Sequence, residues 1–155
     1  MLVRNDISEI FKFNEFTHSD GPYSPFNAGM FLLKPAIDTY NAIINRVYEG
    51  KFYDWKQSET HYAYQVTQGL LYYHFKLLNS LNYIDRGIYN FQVPDDIKRS
   101  SVQNNITNIK IVHFTGVGKP EIPYLQKQTQ KRGICKIFHD EWTEIWYSLF
   151  PQRTF

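Results

Sequence analysis

The chain has 155 residues, 43% of them hydrophobic and 17% aromatic, which suits a single domain with a real core and rules out disorder over most of its length. Seventeen Lys and Arg against fifteen Asp and Glu leave a formal charge of +2, too balanced for a nucleic-acid groove. The single cysteine, Cys135, excludes an internal disulfide framework and any multi-cysteine zinc site, and it fits a reducing, cytoplasmic setting.

Taken in chain order, residues 1–11 form a patterned segment. Arg4, Asp6 and Glu9 interrupt it, so it is not a secretory signal. Ser8 can cap one helical turn that packs through Ile10 and Phe11. Residues 13–24 are rich in Asn, Ser, Asp, Gly and Pro and read as loop. Phe-Asn-Ala-Gly-Met-Phe-Leu-Leu at 26–33 reads as a short buried strand, ended by Lys34-Pro35. Residues 36–49 place Ile37, Tyr40, Ile44 and Val47 on one stripe of a helix that Gly50 stops. Residues 51–59 read as loop. Tyr64, Gln68, Leu71, Phe75 and Leu78 share helical spacing within 60–78.

Residues 81–92 read as an extended segment with a turn at Asp85-Arg86-Gly87. Residues 94–108 read as loop or weak helix, and Ile109–Phe114 as a β-branched strand. A turn follows at 115–120. No period is evident in 121–133. Asp140 can cap a last helix over 138–150 with Trp142, Ile145, Trp146 and Leu149 as its stripe. Nowhere do apolar residues run to the ~20 of a membrane span. Strands alternating with helices define an α/β domain, with too few strands for a complete doubly wound sheet.

Three places carry chemistry. His113 stands at the end of a strand, followed by Gly116, Gly118 and Lys119. A neutral imidazole can bind a divalent cation, glycines let backbone N–H groups approach a ligand, and Lys offers a point charge to a phosphate. Ordinary turn chemistry around a half-buried His explains the same residues. Asn27 offers donors and an acceptor suited to sugar hydroxyls, or else it ties down the local loop. Gln68-Gly69 lies within a helix, where Gly costs roughly 1 kcal/mol. Either a ligand passes close there, or another element packs against it.

In order and spacing these segments resemble the C-terminal half of glycosyltransferase family 8, which includes glycogenin and the bacterial lipopolysaccharide galactosyltransferases. Phe26–Phe31 is similar to its F-N-[SA]-G strand. Gln68-Gly69-Leu70-Leu71 is similar to its [DE]-Q-G-x-L-N helix, and Tyr89-Asn90 to its Y-N segment. Val112–Pro120 is similar to V-H-F-x-G-x-x-K-P-W, and the Trp142/Trp146 helix to its closing Trp-rich helix. The resemblance implies a GT-A-type fold and retaining transfer of a sugar from a nucleoside diphosphate donor, by default a UDP-sugar, to a glycan, protein or lipid acceptor. It also implies a divalent cation, commonly Mn²⁺.

By the same resemblance His113 is a metal ligand. Gly116 and Lys119 contact the donor diphosphate, Asn27 and Ala28 contact the donor sugar, and Gln68 stands at the sugar's reacting face as the catalytic amide. In that family a stretch like 1–11 follows an Asp-x-Asp metal motif. No Asp-x-Asp occurs in the sequence, so residues 1–155 are expected to be one partial domain with its nucleotide-binding half absent and little activity alone. An apolar face involving Met1, Leu2, Val3 and 26–33 is expected to be exposed and to favour oligomers. Thr67 stands where the family has an acidic residue, Tyr72 where it has Asn, and Glu121 where it has Trp. A non-catalytic remnant that binds a glycan or partner is the alternative reading.

Overall fold

A computed structural model describes residues 1–13, 16–21, 25–50, 67–93, 106–115 and 133–151, with side chains from 136 onward in the last segment. They form a mixed α/β chain of two compact units, Met1–Asp6 with Gly87–Phe155, and Ile7–Arg86.

The first unit is built on a three-stranded sheet of order β1-β6-β5, from β1 (Leu2–Val3), β5 (Phe91–Val93) and β6 (Ile111–Phe114). β6 runs antiparallel to β1, with Leu2 opposite Val112, and parallel to β5, with Gln92 opposite His113. β-branched Ile111 and Val112 suit the pleated centre of this sheet, and both are buried. Leu2, Phe91, Val93, Ile109, Val112, Phe114 and Phe138 form one core, with Ile106 and Trp142 packed against it. Leu2 is therefore covered within its own unit, contrary to the expected exposed face, while Met1 and Val3 remain exposed. Arg4 closes the unit. Its guanidinium grips both carboxylate oxygens of Glu141 at 2.7 and 2.9 Å, and donates to the carbonyls of Ile106 and Ile109 at 2.6 and 3.0 Å.

The second unit carries a sheet of order β3-β2-β4, from β2 (Phe16–His18), β3 (Phe31–Leu32) and β4 (Leu81–Tyr83). β2 pairs antiparallel with β3 and parallel with β4. The expected loop at 13–24 thus contains the central strand. Polar Thr17 and His18 hide it from local patterning, yet all of Phe16–His18 is buried. Phe16 stacks on Phe75 with ring centroids 4.1 Å apart, in a core with Phe26, Leu71 and Tyr72. Truncating a ring so placed to Ala typically costs about 3–5 kcal/mol.

α1 (Ile37–Glu49) runs between Ala36 and Gly50, whose φ of 65° supplies the left-handed stop that glycine takes without a Cβ clash. Its expected stripe does not become a core face, because Ile37, Tyr40 and Val47 are exposed. Ile43 packs on the aromatic core instead. Arg46 reaches α2 (Thr67–Leu77) through His74.

Other expectations also change. Ile7, not Ser8, precedes the 3-10 turn Ser8–Lys12, and Phe11 there is exposed. The extended segment at 81–92 divides into β4, the short α3 (Arg86–Tyr89) and β5. α4 (Gly133–Leu149) begins well before Asp140, which lies inside it and pairs with Lys136 one turn back, so Asp140 is no cap. Among its described side chains Phe138 and His139 are buried, whereas Ile145 and Leu149 are exposed. Trp142 and Trp146 stack on each other with centroids 5.2 Å apart. Residues 51–66, 94–105 and 116–132 lie outside the described residues, and the readings made on them stand as expectations.

Candidate active site

In the second unit the structure brings Asn27, Ala28 and Gln68 together. The expected strand 26–33 begins only at Phe31, because Asn27 folds the chain into a turn first. Its Oδ1 accepts from the Gly29 N–H at 2.9 Å, and its carbonyl accepts from the Met30 N–H at 3.3 Å. A short Asn side chain that bonds its own backbone competes with strand pairing, and here it wins. The turn is anchored at its other end, since the Asn27 N–H donates to the Ser19 carbonyl at 3.0 Å. Ala28, at the tip, donates its N–H to Oε1 of Gln68 at 2.9 Å.

Gln68 sits in the first turn of α2, half-buried, beside buried Gly69. The geometry bears out the local-loop reading of Asn27, which holds the turn whose tip reaches Gln68. Thr67, exposed at the start of α2, has only a hydroxyl where a carboxylate would supply charge. Tyr72 is buried in the aromatic core, its ring edge-on to His18, so a packing residue stands where the family pattern carries a polar amide.

Two buried histidines of this unit were not singled out by sequence. His18 donates Nδ1–H to the Ser19 carbonyl at 3.1 Å, and its Nε2 finds no partner among the described residues. The rings of Phe16, Phe26, Tyr72 and Tyr83 surround it. Burial holds its pKa below 6.5, against smaller raising effects of the Ser19 bond and Asp20. His74 accepts from Arg46 Nε at 2.8 Å, which puts its proton on Nε2. Burial, then the Arg46 charge, lowers its pKa too. No local signal marks either residue, since burial of an imidazole is decided by which rings the fold brings around it.

In the first unit His113 stands on β6, half-buried, with Nδ1 3.0 Å from Oδ1 of Asn90. An amide oxygen only accepts, so Nδ1 carries the proton and the lone pair lies on Nε2, the form in which an imidazole serves as a metal ligand. The donor chemistry of His113 therefore fits one ligand of a divalent cation. Among the described residues no group of three His, Cys, Asp or Glu is placed to hold such an ion. Gly116 and Lys119 lie outside the described residues. No described helix is long and apolar enough to cross a membrane.

Residues 6–120 match the family described as Glycosyl transferase family 8. The match covers most of the chain, and the chain belongs to that family, whose members share a GT-A-like nucleotide-sugar transferase fold. Glycogenin-1 of Mus musculus is 27% identical over 158 residues, covering 96% of this chain and 44% of that protein. The chain thus spans less than half the length of this relative. No solved structure matches the chain.

Proposed function

We propose that this chain forms part of a glycosyltransferase site that moves a sugar from a nucleoside diphosphate donor, UDP-linked by family default, to a glycan, protein or lipid acceptor with retention at the anomeric carbon. The observation that carries this reading is the family match over 6–120, which contains every residue assigned to the site. The bond between Ala28 and Gln68 supports it, because two segments assigned to the donor sugar meet there.

In this reading Asn27 and Ala28 orient the sugar. Gln68 presents its amide to the reacting face, and Gly116 and Lys119 hold the diphosphate. His113 supplies one ligand to a divalent cation, and the remaining ligands come from outside the described residues. When bound, such a cation neutralises charge on the departing diphosphate. Thr67 favours a second reading, a non-catalytic member that binds a glycan or partner, because its hydroxyl cannot stabilise a positive centre as a carboxylate does.

The test is UDP release from a panel of UDP-sugars, with and without Mn²⁺. It compares the 155-residue chain with a form joined to a nucleotide-binding half ending in Asp-x-Asp. Mn²⁺-dependent release is expected from the joined form and little from the chain alone. His113→Ala should abolish release and Thr67→Asp should raise it. Silence of the joined form with every donor would put the non-catalytic reading ahead. Normal turnover by the chain alone would overturn the expectation that it has little activity by itself.

A further inference from the structure

Asn90 is fully buried between α3 and β5. The backbone around it is fixed on both sides. The Lys110 N–H donates to the Ile88 carbonyl at 2.8 Å, and β5 pairs in register with β6 from Phe91 opposite Val112 onward. A carboxamide held this way has little freedom to turn, and its oxygen lies 3.0 Å from Nδ1 of His113. A neutral imidazole can carry its proton on either nitrogen. Only the Nδ1–H tautomer leaves a lone pair on Nε2, the atom that points away from the Nδ1 partner.

We propose that Asn90 is a positioning residue: it holds His113 in the Nδ1–H tautomer and in one ring orientation, so that Nε2 is presented to a divalent cation. The inference rests on the metal-ligand reading of His113 given above. Asn is chemically suited to the task. It accepts one hydrogen bond as a carboxylate would, but adds no negative charge beside the ion. Partners of this kind, one bond behind a ligating imidazole, typically change metal affinity by about 10–100-fold when removed.

The test needs no donor, acceptor or turnover. Long-range ¹H–¹⁵N spectra of the chain labelled at histidine report which ring nitrogen carries the proton, with His113 assigned by the signal lost in His113→Ala. The wild-type ring should be Nδ1–H. Asn90→Ala should move it toward Nε2–H, and Asn90→Asp, which keeps an acceptor, should restore Nδ1–H. Mn²⁺ added to the same variants, in the form joined to a nucleotide-binding half ending in Asp-x-Asp, should broaden the His113 ring signals, with the midpoint about 10–100-fold higher in Asn90→Ala than in wild type.

A wild-type ring in the Nε2–H form overturns the proposal even if Asn90→Ala fails to fold. An Asn90→Ala ring that stays Nδ1–H overturns it as well. If the tautomer follows Asn90 but Mn²⁺ leaves the His113 signals untouched in every sample, the metal-ligand reading fails, and the positioning role toward an ion falls with it.

Discussion

The backbone N–H of Ala28 donates to Oε1 of Gln68 at 2.9 Å, joining residues 40 positions apart. The bond holds a turn that Asn27 has already bent, so it sets where the tip of that turn lies. Gln68→Leu removes the acceptor from a half-buried N–H and should lower stability by about 1 kcal/mol. Gln68→Glu keeps an acceptor and should cost less. Urea unfolding of the two variants, with hydrogen exchange at Ala28, measures both effects. Equal exchange at Ala28 in wild type and Gln68→Leu would mean that the bond holds nothing.

Acid should weaken the second unit. His18 and His74 are both held neutral, chiefly by burial, with pKa values below the ordinary 6.5. In the unfolded chain each takes up a proton near pH 6.5, while in the folded chain neither does until lower pH. The unfolded state therefore binds more protons in the window from 6.5 down to the lowered folded values, and stability falls as pH falls through it. Above that window the two residues contribute no pH dependence. Urea midpoints between pH 8 and pH 5 should drop on the acid side, and the drop should shrink in His74→Gln and in His18→Phe. A flat profile in the wild type would mean that neither imidazole is held neutral.

Arg4 should behave as a clamp that Lys cannot replace. Its planar fork meets both oxygens of Glu141, while Nη1 serves the carbonyls of Ile106 and Ile109 and the guanidinium lies over the Phe138 ring at 5.0 Å. A Lys ammonium carries the charge but cannot span these partners in one plane. The pair is only partly buried, with side chains 14% and 34% exposed, so the expected loss in Arg4→Lys is about 2 kcal/mol rather than that of a fully buried ion pair. Thermal unfolding compares Arg4→Lys with Glu141→Gln, which keeps an acceptor and should cost less. Arg4→Lys as stable as wild type would sink the clamp.

Local signals made part of this architecture legible. The run of β-branched residues before His113, the glycine after α1 and the spacing of Leu71 and Phe75 each placed an element correctly, because backbone preference and burial agree there. β2 was not legible. Thr17 and His18 are polar, their neighbours favour turns, and only pairing with Phe31–Leu32 and Leu81–Tyr83 makes the segment a strand. At 26–33 the apolar run set the strand start too early: Asn27 bends the backbone into a turn, as its local-loop reading allowed, and the strand begins at Phe31. Of the residues that the resemblance assigned, Asn27, Ala28 and Gln68 meet within one unit, while the contact of Asn90 with His113 spans 23 positions and no local pattern encodes it.

A nucleotide-sugar should report on the turn of the second unit. In the proposed function the sugar meets Asn27, Ala28 and Gln68. The measurement is a titration of the isotope-labelled chain, in a form joined to a nucleotide-binding half, with a UDP-sugar and diamagnetic Mg²⁺. The Ala28 and Gly29 amides should shift together with one midpoint, because one turn carries both. UDP alone should leave them largely in place, because it carries the diphosphate without the sugar. Gln68→Leu should weaken the response at Ala28, because it removes the acceptor that sets where the tip of the turn lies. An Ala28 response to UDP as large as that to the UDP-sugar would remove Asn27, Ala28 and Gln68 from the donor-sugar site.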